Sequence, residues 1–375
     1  MNFLNTIANR LMLVLALNST GCCTMPNEAY EARSHSTSTY SNVGIQKEYI
    51  GIIHCHSKFS HDSTGTREEI SKAAKNCSLD FVIMSEHLSS PEQGIFTQNE
   101  GLRGVINDVL FIHGFEISKS GGSILAVNPN KCIDKKEKTA QQIIDDIHNK
   151  NGMAFISHVE SFDFKDEKID GFELYNAHAI FEEETVKTIL RLIESYMTCS
   201  SDSRFHPLVK ILDKNITKWD SLLAQGKRVS AFAGNDVHVQ WYYPWEYADF
   251  FKLVRMHVFA NELNTSEILT SIVNGKCYIS FDSLADGTGF DYFLQNKQTK
   301  AVQGQEIKLE ETMLHVQLPA KALIKVMRNG KLEFETKSSE AVIKINKTGA
   351  YRIEAYLGEL PWIISNPIYV IEKSN

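Results

Sequence analysis

His54, His56 and His61, with Asp62 beside the last of them, fall within nine positions of "IIHCHSKFSHDSTG", directly after an apolar run. Imidazole and carboxylate together are the donors that borderline divalent metals prefer, so this crowding points to a metal centre. The same types recur downstream. Glu86 and His87 end "FVIMSEH", Glu116 lies near the end of "LFIHGFE", His158 ends "AFISH", and Asp236 with His238 ends "SAFAGNDVH". One histidine at a strand end is more often a hydrogen-bonded core or surface residue than a ligand. Five segments of one region ending in His, Asp or Glu is improbable by accident, because histidine is scarce.

The elements that must position these residues alternate along the chain. Short apolar runs such as "YIGIIH", "LDFVIM" and "GMAFIS" are separated by amphipathic stretches such as "TREEISKAAKNCS", "KTAQQIIDDIHNKN" and "IFEEETVKTILRLIESYM". That pattern predicts a parallel sheet with crossover helices, open or closed into a barrel. In such folds functional side chains gather at the carboxyl ends of the strands. A spacing of two places His54 and His56 on one face, where they can chelate one ion. Cys55 then points away and reads as a small buried apolar residue.

The pattern changes after residue 281. From about residue 306 apolar and polar residues alternate, and "RNG" and "KTG" stand between the runs as hairpin signals, which predicts a small antiparallel β-sandwich. The expected organisation is a leader at 1–23, a Ser/Thr-rich linker at 24–46, an α/β body at 47–285 and a β-sandwich domain at 300–375. The leader "MNFLNTIANRLMLVLALNSTGCC" has one basic residue, a short apolar run and small residues before cysteine, the layout of a secretory signal peptide. Its apolar run is far shorter than the ~20 residues needed to span a bilayer. "STGC" resembles a lipoprotein processing box, with Cys22 as the lipidated residue, although Ser19 stands where Leu is usual. The body is therefore expected in the periplasm or cell envelope, touching membrane only through that anchor.

The chain of 375 residues is 43% hydrophobic, enough for substantial cores, and its net charge of -7 comes without any basic block. Nucleic acid is not an expected partner. Cys55, Cys77, Cys132, Cys199 and Cys277 are scattered with no paired spacing, which argues against a disulfide framework and against a cysteine zinc site. No Gly-x-Ser-x-Gly elbow exists, so a serine hydrolase is disfavoured. His113, three before Glu116, belongs to the opposite strand face and to the core. His148, His206, His257 and His315 have no partner at useful spacing. Arg67 and Arg103 are candidates to clamp an anionic substrate, with solvated surface cations as the alternative. "VQWYYPWEY", after His238, forms either a wall over an organic substituent or ordinary packing.

The ordered set "IIHCHSKFSHDSTG", "LDFVIMSEH", "GFEIS", "ISH", "GFELYN" and "AGNDVH" resembles the PHP (polymerase and histidinol phosphatase) superfamily, most closely its stand-alone CehA/McbA-type metallohydrolases. The tail is similar to the small β domain that often closes such proteins. The resemblance implies a distorted (β/α)7 TIM-like barrel holding two or three divalent ions, Zn, Mn or Fe, that hydrolyse phosphoesters. Carried over, it gives His54, His56, Glu116 and Asp236 to a first ion, Glu116 as bridge to a second that also takes His158, and His61 or Asp62 with His87 and His238 to a third. Two departures stand out: Glu86 replaces a usual aspartate, and the histidine expected after the bridging glutamate is missing from "ISKSGGSILAVN", leaving His178 or a water to compensate.

The predicted activity is hydrolysis of a phosphomonoester or phosphodiester by metal-activated hydroxide, with His158 or His238 as general acid. Hydrolysis of a carboxylic or carbamic ester at the same centre is one alternative. A non-catalytic metal-binding scaffold, with an unidentified partner for the β domain, is the other.

Overall fold

The structure is a computed structural model that describes residues 46–87, 101–119, 121–162, 168–183, 185–198, 203–241 and 245–372. Cys22, the leader and nearly all of the linker lie outside the described residues.

The first part contains β1 Lys47–Cys55, α1 Arg67–Asn76, β2 Phe81–Met84, β3 Glu86–His87, β4 Gly104–Ile106, β5 Val109–Ile112, β6 Gly114–Lys119 and β7 Gly122–Val127. It continues through α2 Ala140–Asn149, β8 Met153–Ser157, β9 Gly171–Asn176, α3 Ala177–Glu183, α4 Thr185–Thr198, α5 Asp213–Ala224 and β10 Ala231–Val237. Then come α6 Tyr247–Leu253, β11 Arg255–Ala260, α7 Thr265–Val273 and β12 Cys277–Ser280. Local sequence explains the boundaries. Both α1 and α2 start at capping boxes, Thr66 with Glu69 and Thr139 with Gln142, in which each side chain takes the other residue's backbone N–H. β2 and β9 are buried along their whole length, as strands covered on both faces must be.

β1 is the axis of this part. It pairs in parallel with β2 on one side and β10 on the other, and its first half also pairs antiparallel with β11. β2 pairs in parallel with β5, β3 with β6, β8 with β9 and β9 with β10. The sheet is mixed rather than the uniform parallel alternation expected, because β6, β7 and β8 form antiparallel pairs. The physical reason is a short turn: β6 and β7 are joined at 120–121, too short for a crossover helix. α5, in the stretch "DKNITKWDSLLA", was not anticipated; Trp219 buries it.

The C-terminal strands are β13 Asp291–Gln295, β14 Lys300–Val302, β15 Glu306–Lys308, β16 Met313–Arg328, β17 Lys331–Lys344, β18 Gly349–Leu357, β19 Leu360–Ser365 and β20 Ile368–Ile371. They have an apolar cluster of their own around Tyr292, Ile324 and Trp362. They are nevertheless hydrogen-bonded to the rest, since β19 pairs with β12 and all twenty strands belong to one sheet. Ala350 and Ile364 also pack into the first core. The tail is thus joined to the α/β part more closely than a free-standing sandwich would be. "RNG" behaves as predicted: Asn329 and Gly330, with φ of 47° and 76°, turn β16 into β17. "KTG" does not close a hairpin between its flanking strands, because β18 pairs with β16, β19 and β20.

Candidate metal centre

The carboxyl ends of β1, β3, β8 and β10, the middle of β6 and the loop after β1, which supplies Asp62, bring eight donors together in two groups of four. His54, Glu116, His158 and Asp236 form a deep group; His56, Asp62, His87 and His238 form an outer one. Within each group one ligand atom per residue lies within 4.8 Å of all the others.

The backbone is bent to achieve this. His54, His158 and Asp236 all have positive φ, at 71°, 49° and 46°, in the left-handed region that non-glycine residues avoid. Each such residue costs on the order of 1–3 kcal/mol and persists only where its surroundings over-determine it. In β1 the register against both β2 and β10 slips between Ile53 and Cys55, so His54 sits in a bulge. His54 falls in the deep group and His56 in the outer one, yet both rings meet the same carboxylate oxygens, as two ligands of one ion would: His54 Nε2 lies 3.0 Å from Glu116 Oε2 and 3.2 Å from Asp236 Oδ1. His56 Nε2 lies 3.4 Å from Glu116 Oε2 and 3.3 Å from Asp236 Oδ1.

Two carboxylates are the hubs. Glu116 Oε2 lies 3.0 Å from His54 Nε2 and 3.5 Å from His87 Nε2, while its Oε1 lies 3.3 Å from His158 Nε2. Asp236 reaches His54 through Oδ1 at 3.2 Å and His158 through Oδ2 at 3.3 Å. Asp62, not His61, completes the outer group: its Oδ2 lies 3.3 Å from His87 Nε2 and 3.4 Å from His238 Nε2. The His61 side chain is 70% exposed, 3.8 Å from Asp62.

Other buried acids hold these donors in place, and sequence reasoning missed one of them, Glu173. Glu173, fully buried in β9, accepts from His54 Nδ1 at 2.7 Å, from the His158 backbone N–H at 2.9 Å and from Asn176 Nδ2 at 3.0 Å. Gly234 makes room for that carboxylate, since a Cβ there would lie 1.8 Å from Glu173 Oε1. Glu86 belongs to neither group. It accepts from the Ser57 N–H and from the hydroxyls of Ser57 and Ser60, and Ser60 Oγ lies 3.1 Å from His56 Nδ1. The available signal was an acid inside an apolar strand, "GFELYN" above all, because a buried carboxylate needs partners.

Charge follows this geometry. Burial opposes charge on His54, yet the carboxylates of Asp236, Glu173 and Glu116 hold its pKa well above the ordinary histidine value. His158 is likewise raised, against burial, by hydrogen bonds with Asp236, Glu116 and Glu160. Burial would raise Glu116 and Asp236, but His54 and the imidazoles around them hold both well below the usual carboxylate range. Asp62 is lowered, again against burial, by His238 and His87. The donor set fits divalent cations on a further count: buried Asp62 Oδ1, Asp236 Oδ1 and His238 Nε2 make no hydrogen bond. Cys55, whose thiol burial keeps well above its normal pKa, belongs to neither group.

The centre faces a cavity of about 480 Å³. His178 lines it, with Nδ1 3.9 Å from Asp236 Oδ2. Of Gly122 and Ser123, which stand where a further histidine was expected, Gly122 is closed to a side chain, since a Cβ there would lie 2.7 Å from the Phe162 ring and 3.1 Å from the His158 carbonyl, while Ser123 lines the cavity. Arg67 and Arg103 are exposed and do not line the cavity. His113 is buried against the Pro129 carbonyl at 3.0 Å. His257, which showed no partner in sequence, is fully buried between Glu48 and Asp282.

No protein-family model matches the chain, and no curated protein does. Among solved structures, a two-domain protein from Bacteroides vulgatus containing a predicted PHP-like metal-dependent phosphoesterase aligns over 90% of this chain and 100% of its own, with 13% identity and a TM-score of 0.42. A candidate metal-dependent phosphoesterase from Bifidobacterium adolescentis aligns over 50% of this chain and 87% of its own, with 12% identity and a TM-score of 0.28. Superpositions of this quality do not establish a shared fold.

Proposed function

We propose that the protein is a metal-dependent hydrolase of the PHP superfamily that cleaves a phosphate ester, and that its α/β part is a distorted (β/α)7 barrel followed by a β domain. One observation carries the reading: two four-donor groups of imidazole and carboxylate, linked through His56, Glu116 and Asp236, face a single cavity. The deep group would hold one divalent ion, Zn, Mn or Fe, and the outer group another. Such ions lower the pKa of water from about 15.7 to about 7 and neutralise anionic ester oxygens.

In the reaction, the oxygen of water bonds to phosphorus, the bond from phosphorus to the organic oxygen breaks, and the proton given up by water ends on that departing oxygen. The chain's part is to bind, orient and move that proton. Glu173 fixes the ring of His54 and the backbone of His158 together, so the deep donors cannot drift apart. His178 is the proposed proton carrier because it reaches the cavity from outside both groups, and His158 or His238 would serve only where its ring is not fully engaged by metal. The leader, 1–23, is read as a secretory or lipoprotein signal, with Cys22 as the residue that would carry the lipid, so the proposed location is the periplasm or cell envelope.

A second reading, cleavage of a carboxylic or carbamic ester, is favoured by the lining, which includes no Lys or Arg among the described residues. The test is one panel of phosphate monoesters, phosphodiesters and aryl carboxylic esters, assayed on full-length protein reconstituted with Zn, Mn or Fe and checked by elemental analysis. Metal at two equivalents with phosphate release, abolished in His54→Ala/His56→Ala, is the expected result. Phosphate release that survives that double substitution would sink the proposal, and turnover of carboxylic esters alone would establish the second reading.

A further inference from the structure

Helix α5 touches both the C-terminal strands and the segment behind the deep donors. Its buried stripe is Asn215, Trp219 and Leu223, and helical periodicity sets Lys218 on one flank of that stripe and Asp220 on the other. On the Asp220 side, Arg352 of β18, only 1% exposed, donates to both oxygens of the Asp220 carboxylate. The same guanidinium donates through Nε and Nη2 to Glu354 Oε1 at 3.1 and 2.6 Å and lies 5.0 Å from the centroid of the Trp219 ring. The turn between β16 and β17 closes on that aspartate as well, since a Cβ on Gly330 would lie 2.7 Å from Asp220 Cβ. A two-point pairing of guanidinium with carboxylate fixes orientation as well as distance, so α5 is locked to the C-terminal strands.

On the Lys218 side, α5 reaches the turn that follows His158. Lys218 Nζ donates to the carbonyls of Val159 at 2.6 Å and Phe162 at 3.0 Å, with the Glu160 carbonyl at 3.5 Å. Asn215 donates to the carbonyl of Leu174, the residue after Glu173, at 3.3 Å. An ammonium group carries three donors on a flexible stem, which suits several carbonyls of one turn. The turn needs such a clamp because it starts from His158, whose φ of 49° persists only where its surroundings over-determine it. Glu173 holds the His158 backbone N–H at 2.9 Å, and Lys218 holds the carbonyls that come next. Lys218 does not line the cavity, so its charge serves the backbone rather than a substrate.

We propose that α5 is a strut of the metal centre: Arg352 and Asp220 fix it from the C-terminal strands, and Lys218 is a positioning residue that holds His158 at the deep donor group. The C-terminal strands then complete the centre without supplying a ligand to it. The consequence for metal rests on the hydrolase reading; the order of the turn at 159–162 does not.

Two measurements on full-length protein test it: affinity for Zn, Mn or Fe by competition against a chelator, and amide hydrogen exchange at 159–162 in the metal-free protein. Lys218→Met should weaken metal binding by about 10–100-fold, as removing a residue that orients a ligand does, and should speed exchange at 159–162 while the denaturant midpoint of the metal-free protein changes little. Lys218→Arg, which keeps the cation, should recover part of both, and Lys218→Gln replaces the methionine variant if that fails to fold. Asp220→Asn should move both readings the same way, and Lys218→Met/Asp220→Asn should bind metal no more weakly than Lys218→Met alone, because the two positions act through one helix. Metal affinity unchanged in Lys218→Met overturns the inference and leaves the metal centre intact. Losses that simply add in the double variant overturn the link to the C-terminal strands. A wild type that binds none of the three metals removes the centre and the inference together.

Discussion

Two buried clusters in this protein are built from the same residue types and come to different ends. In one, His257 sits between Glu48 at 2.8 Å and Asp282 at 3.3 Å, stacked on Tyr278 with ring centroids 4.6 Å apart. Asp282 is further satisfied by the Ser280 hydroxyl and the Gly287 N–H, and Glu48 by the Gly289 N–H. In the other, eight donors converge, three of their buried polar atoms make no hydrogen bond, and the group opens on a cavity. A histidine between carboxylates is therefore not in itself a site. Unsatisfied donors together with access make one, and a closed, fully paired cluster contributes to structure instead.

That contrast can be broken most forcefully at the hubs. Asp236→Asn should remove metal from the centre and lower turnover by at least about 10²–10³-fold, in the range of losing a principal electrostatic group, as read by elemental analysis and kcat. Glu173→Gln should weaken metal binding by about 10–100-fold, the usual effect of removing the partner that orients a ligating histidine; competition against a chelator measures it. An unchanged metal affinity would show that Glu173 only fills space.

Removing metal should itself destabilise the protein, by about 2.7 kcal/mol relative to a metal concentration one hundred times Kd, seen as a fall in Tm after chelation. Metal uptake should also release protons, because the carboxylate neighbours raise the pKa of His54 and His158 and a ligating imidazole must be neutral. The His257 cluster should respond to pH alone. Its pKa is raised to about 10, so burial is outweighed by Asp282 and Glu48 when the imidazole is charged. A raised pKa stabilises the fold below the unfolded value of about 6.5. That contribution is lost as pH rises through about 10. Denaturant midpoints across this window should fall in the wild type and flatten in His257→Gln. The smallest effect sharpens the loop: His61→Ala should change kcat by no more than about twofold, as exposed positions do, while Asp62→Asn should cost far more.

Much of the site was legible because strand-end residues are marked by the apolar runs before them. Asp236 with His238 ends "SAFAGNDVH", and seven of the eight donors, all but Asp62, were singled out from such a context. The choice between His61 and Asp62 was not legible, since adjacent residues in a loop have the same neighbours in sequence. Nor was the backbone bend at His54, because alternation assumes a regular strand and β1 bulges there. Glu173 escaped because it acts through the ring and backbone of other residues; Glu86 was noticed as a strand-end acid, but not its role in holding Ser57 and Ser60. The mixed sheet escaped because an apolar run reads the same whichever way its neighbour points.

The amino-acid sequence by itself determined which donors exist, that they follow buried strands, and that helices with capping boxes at Thr66 and Thr139 separate some of those strands. These are properties of short segments, set by periodicity and local hydrogen bonding. Only the tertiary structure decided which donors meet. It paired β1 with β10, put Gly234 beneath Glu173, turned three ligand residues into the left-handed region, and opened the donors onto a cavity. Distances of about 3 Å between residues more than a hundred positions apart depend on strand register and close packing, which no local pattern encodes.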